Sequence, residues 1–504
     1  MTRTLAHTRV YACTCMCIYV ARYAVRGTVA VRAGELKGAL ARGDTLPFDK
    51  LTLCNIGNPH AVQQKPITYY RQVASALYSP ELTKEGGGAL ASLYPEDVIA
   101  RAKAYHAATN GSGMGAYTDS AGLQLVRDEV ATFLLERDGY PAIAAHIALT
   151  TGASEGVKRC IGALVRTSRD GIMIPKPQYP LYSAALTMVG GRAVYYGLAE
   201  EAGWATSWAE LERAYAAAVA EGTAVRALAM INPGNPVGAV LSEAAVAELI
   251  CFAAAKGLVV LADEVYQLNV YAEGAAFYSC KQVLRKLQAG VLKPPELERG
   301  AAVCGPAELA AAQLISFHST SKGLIGECGQ RGGYLEMVGF SDATRAQFTK
   351  VAATSLSSGT IGQCFVGMMV SGPKEGEPSH ALFAQESADI MAGLKRRALQ
   401  ATSALNDLQG ISCQPIEGAM YAFPSLALPA KFVARCAEAG QAADEAWCLE
   451  LMEATGIVCV PGSGFGQEEG TFHARLTILP PDDVFSGMLT KLAAFQAALH
   501  TEWA

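Results

Sequence analysis

The sequence has no CxxC pair and no HExxH or similar histidine spacing, although it holds 14 cysteines and eight histidines. That argues against a disulfide framework and a protein metal site, and scattered cysteines of this kind read as reduced thiols packed as small hydrophobes. Charge is also scarce. Only 17% of residues are charged, and 41 basic against 46 acidic side chains leave a net charge of −5. No basic stripe interleaves with aromatics, so nucleic acid is not an expected partner. Long apolar runs are missing too. The longest uncharged stretch, between Lys350 and Lys374, contains Ser355, Ser357, Ser358, Gly359, Thr360, Gly362 and Gln363. Such polar content is costly in lipid, so the stretch is expected to be a buried loop or core segment, with no membrane partner.

What is present is the composition of a packed globular chain. Its 504 residues, 51% of them hydrophobic, suffice for one large α/β domain and a smaller one. The 50 glycines are spread through apolar segments and suggest many turns rather than a linker. The start is different: Arg3, Arg9, Arg22, Arg26 and Arg32 precede the first acid, Glu35, around an apolar stretch from Val10 to Ala21. A basic, acid-poor leader has two readings, an organellar targeting segment or an unstructured start without function. The compartment is accordingly cytoplasmic, or mitochondrial if residues 1–22 are a targeting peptide. The alternation of Cys13, Cys15 and Cys17 there reads as chance.

Short β-branched runs alternate with helical patterns through the middle of the chain. Strands are expected at Ile147–Thr150, Gly171–Ile174, Arg192–Tyr196, Arg226–Ile231, Leu258–Ala262 and Leu314–His318. Helices follow the turn Thr151-Gly152-Ala153-Ser154 and the cap Ser242, the latter ended by Gly257. This alternation predicts a mostly parallel sheet covered on both faces. Arg285–Gly305 reads as a surface elaboration, and a long helix is expected from about Phe383 to Leu408. The domain division expected is 1–22 leader, 23–110 arm and part of a small domain, 111–375 large domain, and 376–504 small domain.

In open α/β sheets ligands bind beyond the C-terminal ends of the strands, so the residues just past each strand are informative. They are Gly152-Ala153-Ser154 opening a helix, the Asn235 turn, Asp263 with Tyr266, and Ser319-Thr320-Ser321-Lys322-Gly323 followed by Arg331. Each alone has an ordinary explanation as a turn, a cap or a solvated lysine. Together they supply what one aromatic aldehyde phosphate needs. A lysine can form a Schiff base, a carboxylate can pair with a ring nitrogen, a phenol and an amide can bond a ring hydroxyl, and an arginine with helix-end amides can take a phosphate.

Ala262-Asp263-Glu264-Val265-Tyr266 and Ser319-Thr320-Ser321-Lys322-Gly323 resemble the corresponding segments of the fold-type I pyridoxal-phosphate aminotransferases. Asn55-Ile56-Gly57-Asn58-Pro59, Pro66-Ile67-Thr68, Gly329-Gln330-Arg331-Gly332-Gly333-Tyr334, Val460-Pro461-Gly462-Ser463-Gly464-Phe465-Gly466 and Arg475-Leu476-Thr477-Ile478-Leu479-Pro480-Pro481 are similar to the alanine aminotransferase subfamily. The likeness runs from about Tyr23 to the C-terminus. It implies a large domain with a mostly parallel seven-stranded sheet, plus a smaller α+β domain built from both chain ends.

The resemblance also implies residue roles. Lys322 is the Schiff-base lysine and the base that moves the proton. Asp263 sits on the pyridine nitrogen, Tyr266 and Asn235 on the ring oxygen, and Tyr179 is stacked on the ring. Ala153, Ser154, Ser319 and Arg331 cradle the phosphate, and Tyr117 reaches the phosphate of a neighbouring subunit in a homodimer with shared sites. Arg475 clamps the substrate α-carboxylate, assisted by the Gly57 backbone and with Asn235 alongside. Val237 departs from the pattern, where threonine is usual. The implied reaction is ping-pong transfer between L-alanine and 2-oxoglutarate, giving pyruvate and L-glutamate. Glutamate:glyoxylate transfer, or a lyase reaction on the same cofactor, is the alternative.

Overall fold

The alternating pattern builds one sheet of seven strands. After a two-residue strand, β1 (Thr52–Leu53), the sheet comprises β2 (Ile147–Thr151), β3 (Asp170–Lys176), β4 (Arg192–Gly197), β5 (Ala224–Ile231), β6 (Val259–Asp263), β7 (Gln313–Ser319) and β8 (Gly332–Val338). Their order across the sheet is β2-β8-β7-β6-β5-β3-β4. The five strands from β7 to β4 run parallel, while β8 is antiparallel to both β7 and β2. The structure is a computed structural model and describes residues 27–79, 81, 92–295 and 304–504. The leader expected over 1–22 and its cysteine alternation lie outside those residues.

The central strands are buried on both faces, and the period of two sorts their side chains. Ala227, Ala229 and Ile231 of β5 and Val259 and Leu261 of β6 meet Val157, Ile161, Tyr182 and Leu186 of the helices Ala153–Leu164 and Leu181–Met188. Leu228, Met230, Val260 and Ala262 point the other way, against Leu211, Ile250, Phe252 and Leu284 of the helices Trp208–Ala220, Glu243–Ala255 and Cys280–Gln288. Ser242 caps its helix as expected, its hydroxyl accepting from the Ala245 amide at 3.2 Å.

One expectation needs correction. Arg285–Gly305 is not all surface elaboration, because the helix Cys280–Gln288 runs into it and buries Leu287. The uncharged stretch after Lys350 is core, as expected. Its residues Thr360–Val370 form a helix that buries Cys364, Phe365, Val366 and Met368. That helix packs with Thr68–Tyr78 and Glu96–Ala108 around Ile147, Leu149 and Tyr334.

The two chain ends meet in a second, smaller unit. It contains β9 (Ile411–Ser412), β10 (Tyr421–Ala422), β11 (Ser425–Leu426), β12 (Ile457–Val458), β13 (Val460–Pro461) and β14 (Ala474–Thr477). β1 pairs in parallel with β12, Thr52 opposite Ile457, which brings the segment Asn55–Pro59 back from the N-terminal side. β14 lies between β10 and β13. Its Arg475, opposite Val460, is buried. The long helix His380–Asn406 packs Leu394, Ala398 and Leu405 into the same core.

Candidate active site

Register places the ends of three parallel strands side by side. Ile231 of β5 is level with Asp263 of β6, and Asp263 with Phe317 of β7. The loops that follow therefore open together at the C-terminal edge of the sheet, under the segment carrying Gly57. Between them lies a cavity of about 460 Å³. Ala153, Ser154, Tyr179, Asn235, Asp263, Tyr266, Ser319, Lys322, Arg331, Arg475 and Gly57 all line it. Of the residues given cofactor or substrate roles from the sequence, Tyr117 alone does not. It stands 78% exposed on its own chain.

Lys322 Nζ donates to the carbonyl of Gly57 at 2.7 Å. A Cβ added to Gly57 would fall 2.4 Å from the Tyr421 hydroxyl and 3.0 Å from Lys322 Nζ, so only glycine fits there. Asp263 is buried, and burial pushes its carboxyl up to about 6 despite opposing bonds from the Tyr182 hydroxyl at 3.2 Å and the Val265 amide at 3.4 Å. The nearby Lys322 cation also opposes the rise. A buried carboxylate held this way favours a cationic partner.

At the other end, Gly152 has φ +72 and precedes the helix Ala153–Leu164, leaving that helix's first amides open to an anion. A side chain on Gly152 would meet Arg331 Nη2 at 2.6 Å. Arg331 itself bonds only neutral acceptors: the Thr151 and Cys328 carbonyls, each at 3.2 Å, and the Ser321 hydroxyl at 3.4 Å. Its charge has no ion-pair partner among the described residues. Ser319 is turned to its own scaffold, its hydroxyl donating to the Gly332 carbonyl at 3.0 Å and accepting from the Ser321 amide at 3.1 Å.

Arg475 is equally deprived of a carboxylate among the described residues. It donates to Asn235 Oδ1 at 3.0 Å and to the Asn55 carbonyl at 2.6 Å, while its buried Nε has no hydrogen-bond partner. A buried guanidinium N–H left unbonded is a costly arrangement that a carboxylate ligand relieves. The cavity thus offers an amine, a buried carboxylate, a helix N-terminus beside a free cation, and a guanidinium with a donor to spare. That donor set fits pyridoxal phosphate with an amino acid.

Residues 87–484 match the family described as aminotransferase class I and II. The chain belongs to that family. It is 42% identical over 495 residues to a probable mitochondrial alanine aminotransferase of Dictyostelium discoideum, covering 97% of this chain and 89% of the relative. It is also 43% identical over 483 residues to glutamate–glyoxylate aminotransferase 2 of Arabidopsis thaliana, covering 96% and 95%. The fold is similar to that of an alanine aminotransferase from Pyrococcus furiosus, with a TM-score of 0.71 at 22% identity over 96% and 99% of the two chains. This member of the family is a pyridoxal-phosphate-dependent aminotransferase acting on amino acids and keto acids.

Tyr182, Tyr421, Ser321 and Cys328 were not singled out in the sequence as site residues, yet the first bonds Asp263 and the others line the cavity. Tyr182 lies in the first turn of the helix Leu181–Met188, three residues after Tyr179, and meets Asp263 from a segment 81 residues away. Tyr421 arrives from the second unit on β10, and no local pattern announces it. The unusual Val237 is buried among Trp204, Ala239, Phe423, Val460 and Phe465, where a methyl group substitutes for a hydroxyl without an unpaired polar atom.

Proposed function

We propose that this enzyme moves the amino group of L-alanine to 2-oxoglutarate, yielding pyruvate and L-glutamate. The observation that carries the reading is the convergence of Lys322, Asp263 and Arg475 on one cavity. Relatives named alanine aminotransferase at 40–42% identity support the choice of alanine.

Pyridoxal phosphate, when bound, supplies a carbonyl that takes up the amino group and a ring that accepts electrons from the substrate Cα. Lys322 would hold the cofactor covalently and, once released, serve as the base that takes and returns the Cα proton. Asp263 would keep the ring nitrogen protonated. Asn235 and Tyr266 would bond the ring oxygen, and Tyr179 would cover one ring face. Ala153, Ser154, Ser319 and Arg331 would hold the phosphate. Arg475 fixes the α-carboxylate with its planar fork, assisted by the Gly57 backbone, and this aims the Cα–H bond at Lys322.

Tyr117 is placed on the partner's phosphate in a homodimer, a role its exposure on its own chain allows. Residues 376–504 with the N-terminal arm are taken as the small domain. Among the described residues no helix is long and apolar enough to cross a membrane. The relative from Dictyostelium is named mitochondrial, and the acid-poor start of this chain agrees with the same destination. The mass of the mature N-terminus tests that point.

The Arabidopsis relatives, named glutamate–glyoxylate aminotransferases, support a second reading in which glyoxylate is the acceptor. Steady-state rates with L-glutamate and either pyruvate or glyoxylate separate the two. The alanine reading predicts a higher kcat/KM with pyruvate, and a strong glyoxylate preference overturns it.

A further inference from the structure

Four side chains of the cavity close on one another in a ring. Arg475 Nη1 donates to Asn235 Oδ1 at 3.0 Å, and Asn235 Nδ2 donates to the Tyr266 hydroxyl at 3.4 Å. The Tyr266 and Tyr421 hydroxyls lie 2.9 Å apart. Tyr421 completes the circuit, because its aromatic face lies 4.4 Å from Arg475 Cζ. Three of these residues already have roles in the reading above. Tyr421 has none.

Its position follows from strand pairing. β10 and β14 are antiparallel, with Tyr421 opposite Thr477, so Tyr421 and Arg475 come from neighbouring strands of one small sheet. The Tyr421 hydroxyl and Lys322 Nζ both lie within 3.0 Å of the point a Gly57 Cβ would occupy. Both tyrosines are buried, so neither hydroxyl can turn to bulk water for a partner.

We propose that Tyr421 is a positioning residue whose hydroxyl donates to Tyr266 and thereby directs the Tyr266 proton into the cavity, towards the cofactor ring oxygen. The proposal rests on the assignment of Tyr266 and Asn235 given above. The Tyr266 oxygen already accepts from Asn235. Burial pushes both phenols towards a higher pKa, but the Lys322 and Arg475 cations outweigh it at Tyr421 and draw that group below its usual value. Among the described residues the Tyr421 hydroxyl has Tyr266 as its one hydrogen-bond partner, whereas Tyr266 also holds Asn235 and faces the cavity, so the shared proton is assigned to Tyr421, in agreement with that lowering. With two incoming bonds on its oxygen, Tyr266 has its own proton left for an acceptor in the cavity. The Tyr421 ring does separate work. As a flat face beneath the guanidinium it restrains Arg475, a cation–π contact worth more once desolvated.

Tyr421→Phe separates the two functions, since it keeps the ring and removes the hydroxyl. In the holoenzyme it is expected to lower kcat about five- to tenfold, the effect of losing one buried hydrogen bond, while KM for L-alanine stays within about twofold. The absorption maximum of the bound cofactor shifts, and the apoprotein binds pyridoxal phosphate about threefold to tenfold more weakly by equilibrium dialysis. Tyr421→Leu, which loses the ring as well, additionally raises KM for L-alanine about tenfold. In a Tyr266→Phe background, Tyr421→Phe has little further effect on kcat or on affinity, because there is no Tyr266 proton left to direct. Wild-type kcat, affinity and spectrum in Tyr421→Phe overturn the proposal. Additive losses in the double variant overturn it too. A wild-type protein that neither binds pyridoxal phosphate nor transfers amino groups sinks instead the assignment on which the proposal rests.

Discussion

The hydroxyl of Tyr182 donates to a carboxylate oxygen of Asp263 across 3.2 Å, in a part of the sheet edge where both groups are buried. This bond favours the charged form of an acid that burial otherwise pushes up to about 6. Removing it with Tyr182→Phe raises the Asp263 carboxyl further. A neutral Asp263 pairs poorly with a protonated ring nitrogen. The affinity of the apoprotein for pyridoxal phosphate is therefore expected to weaken below about pH 6 in the wild type, and already at a higher pH in the variant. Equilibrium dialysis between about pH 5 and 9, about two units either side of neutrality, reads both curves.

The same carboxyl sets a pH dependence of stability in the apoprotein. Its folded-state value lies above the ordinary 3.8, so its stabilising contribution is complete below that value and is lost as pH rises through about 6. At pH 8 the cost of holding Asp263 ionised is about 3 kcal/mol. Asp263→Asn removes it. Denaturant titration of the two apoproteins should show the variant more stable by about 2–3 kcal/mol at pH 8 and nearly equal to wild type near pH 4. Its transamination rate should nonetheless collapse, since the ring nitrogen loses its anion.

Arg475→Lys keeps the charge but loses the fork. The buried ammonium cannot serve Asn235, the Asn55 carbonyl and a carboxylate with the same geometry. A loss of about 2–3 kcal/mol in transition-state binding is expected, a fall in kcat/KM for L-alanine of roughly 30- to 150-fold. The absorbance of the bound cofactor should be retained, which separates substrate recognition from cofactor binding.

Gly152→Ala places a methyl group at φ +72 and 2.6 Å from Arg331 Nη2. The backbone strain alone is about 1–3 kcal/mol, because φ +72 with ψ 163 is a region that essentially only glycine adopts, and the guanidinium must move as well. Affinity for pyridoxal phosphate is expected to fall at least about tenfold, while pyridoxal lacking the phosphate loses far less. Fluorescence titration with the two vitamers checks the difference.

How much of this was legible in the sequence varied with how local the signal was. The six strands from Ile147 to Ser319 were found to within about two residues, since β-branched runs bounded by turn residues are a local pattern. β8 was missed as a strand because Gly332 and Gly333 open it and dilute that pattern, and because it enters the sheet antiparallel. Asp263, Lys322 and Asn235 follow strand ends and could be read from topology before any resemblance was invoked. Arg475 was placed by its motif alone, since it reaches the cavity through a small sheet joining distant parts of the chain. Tyr421 comes by the same route without a motif, and its contacts with Tyr266 and Arg475 exist only in three dimensions. Tyr182 is three residues from Tyr179, but its bond to Asp263 spans 81 residues of chain.

The central claim is that Lys322 is the amine that carries the cofactor. Incubating the purified protein with pyridoxal phosphate, reducing with borohydride and mapping the peptides by mass tests it most directly. The account predicts a phosphopyridoxyl group on the peptide containing Ser321-Lys322-Gly323, and its disappearance when L-alanine is added before reduction. A modified lysine elsewhere with Lys322 untouched, or no modification at all, would contradict it.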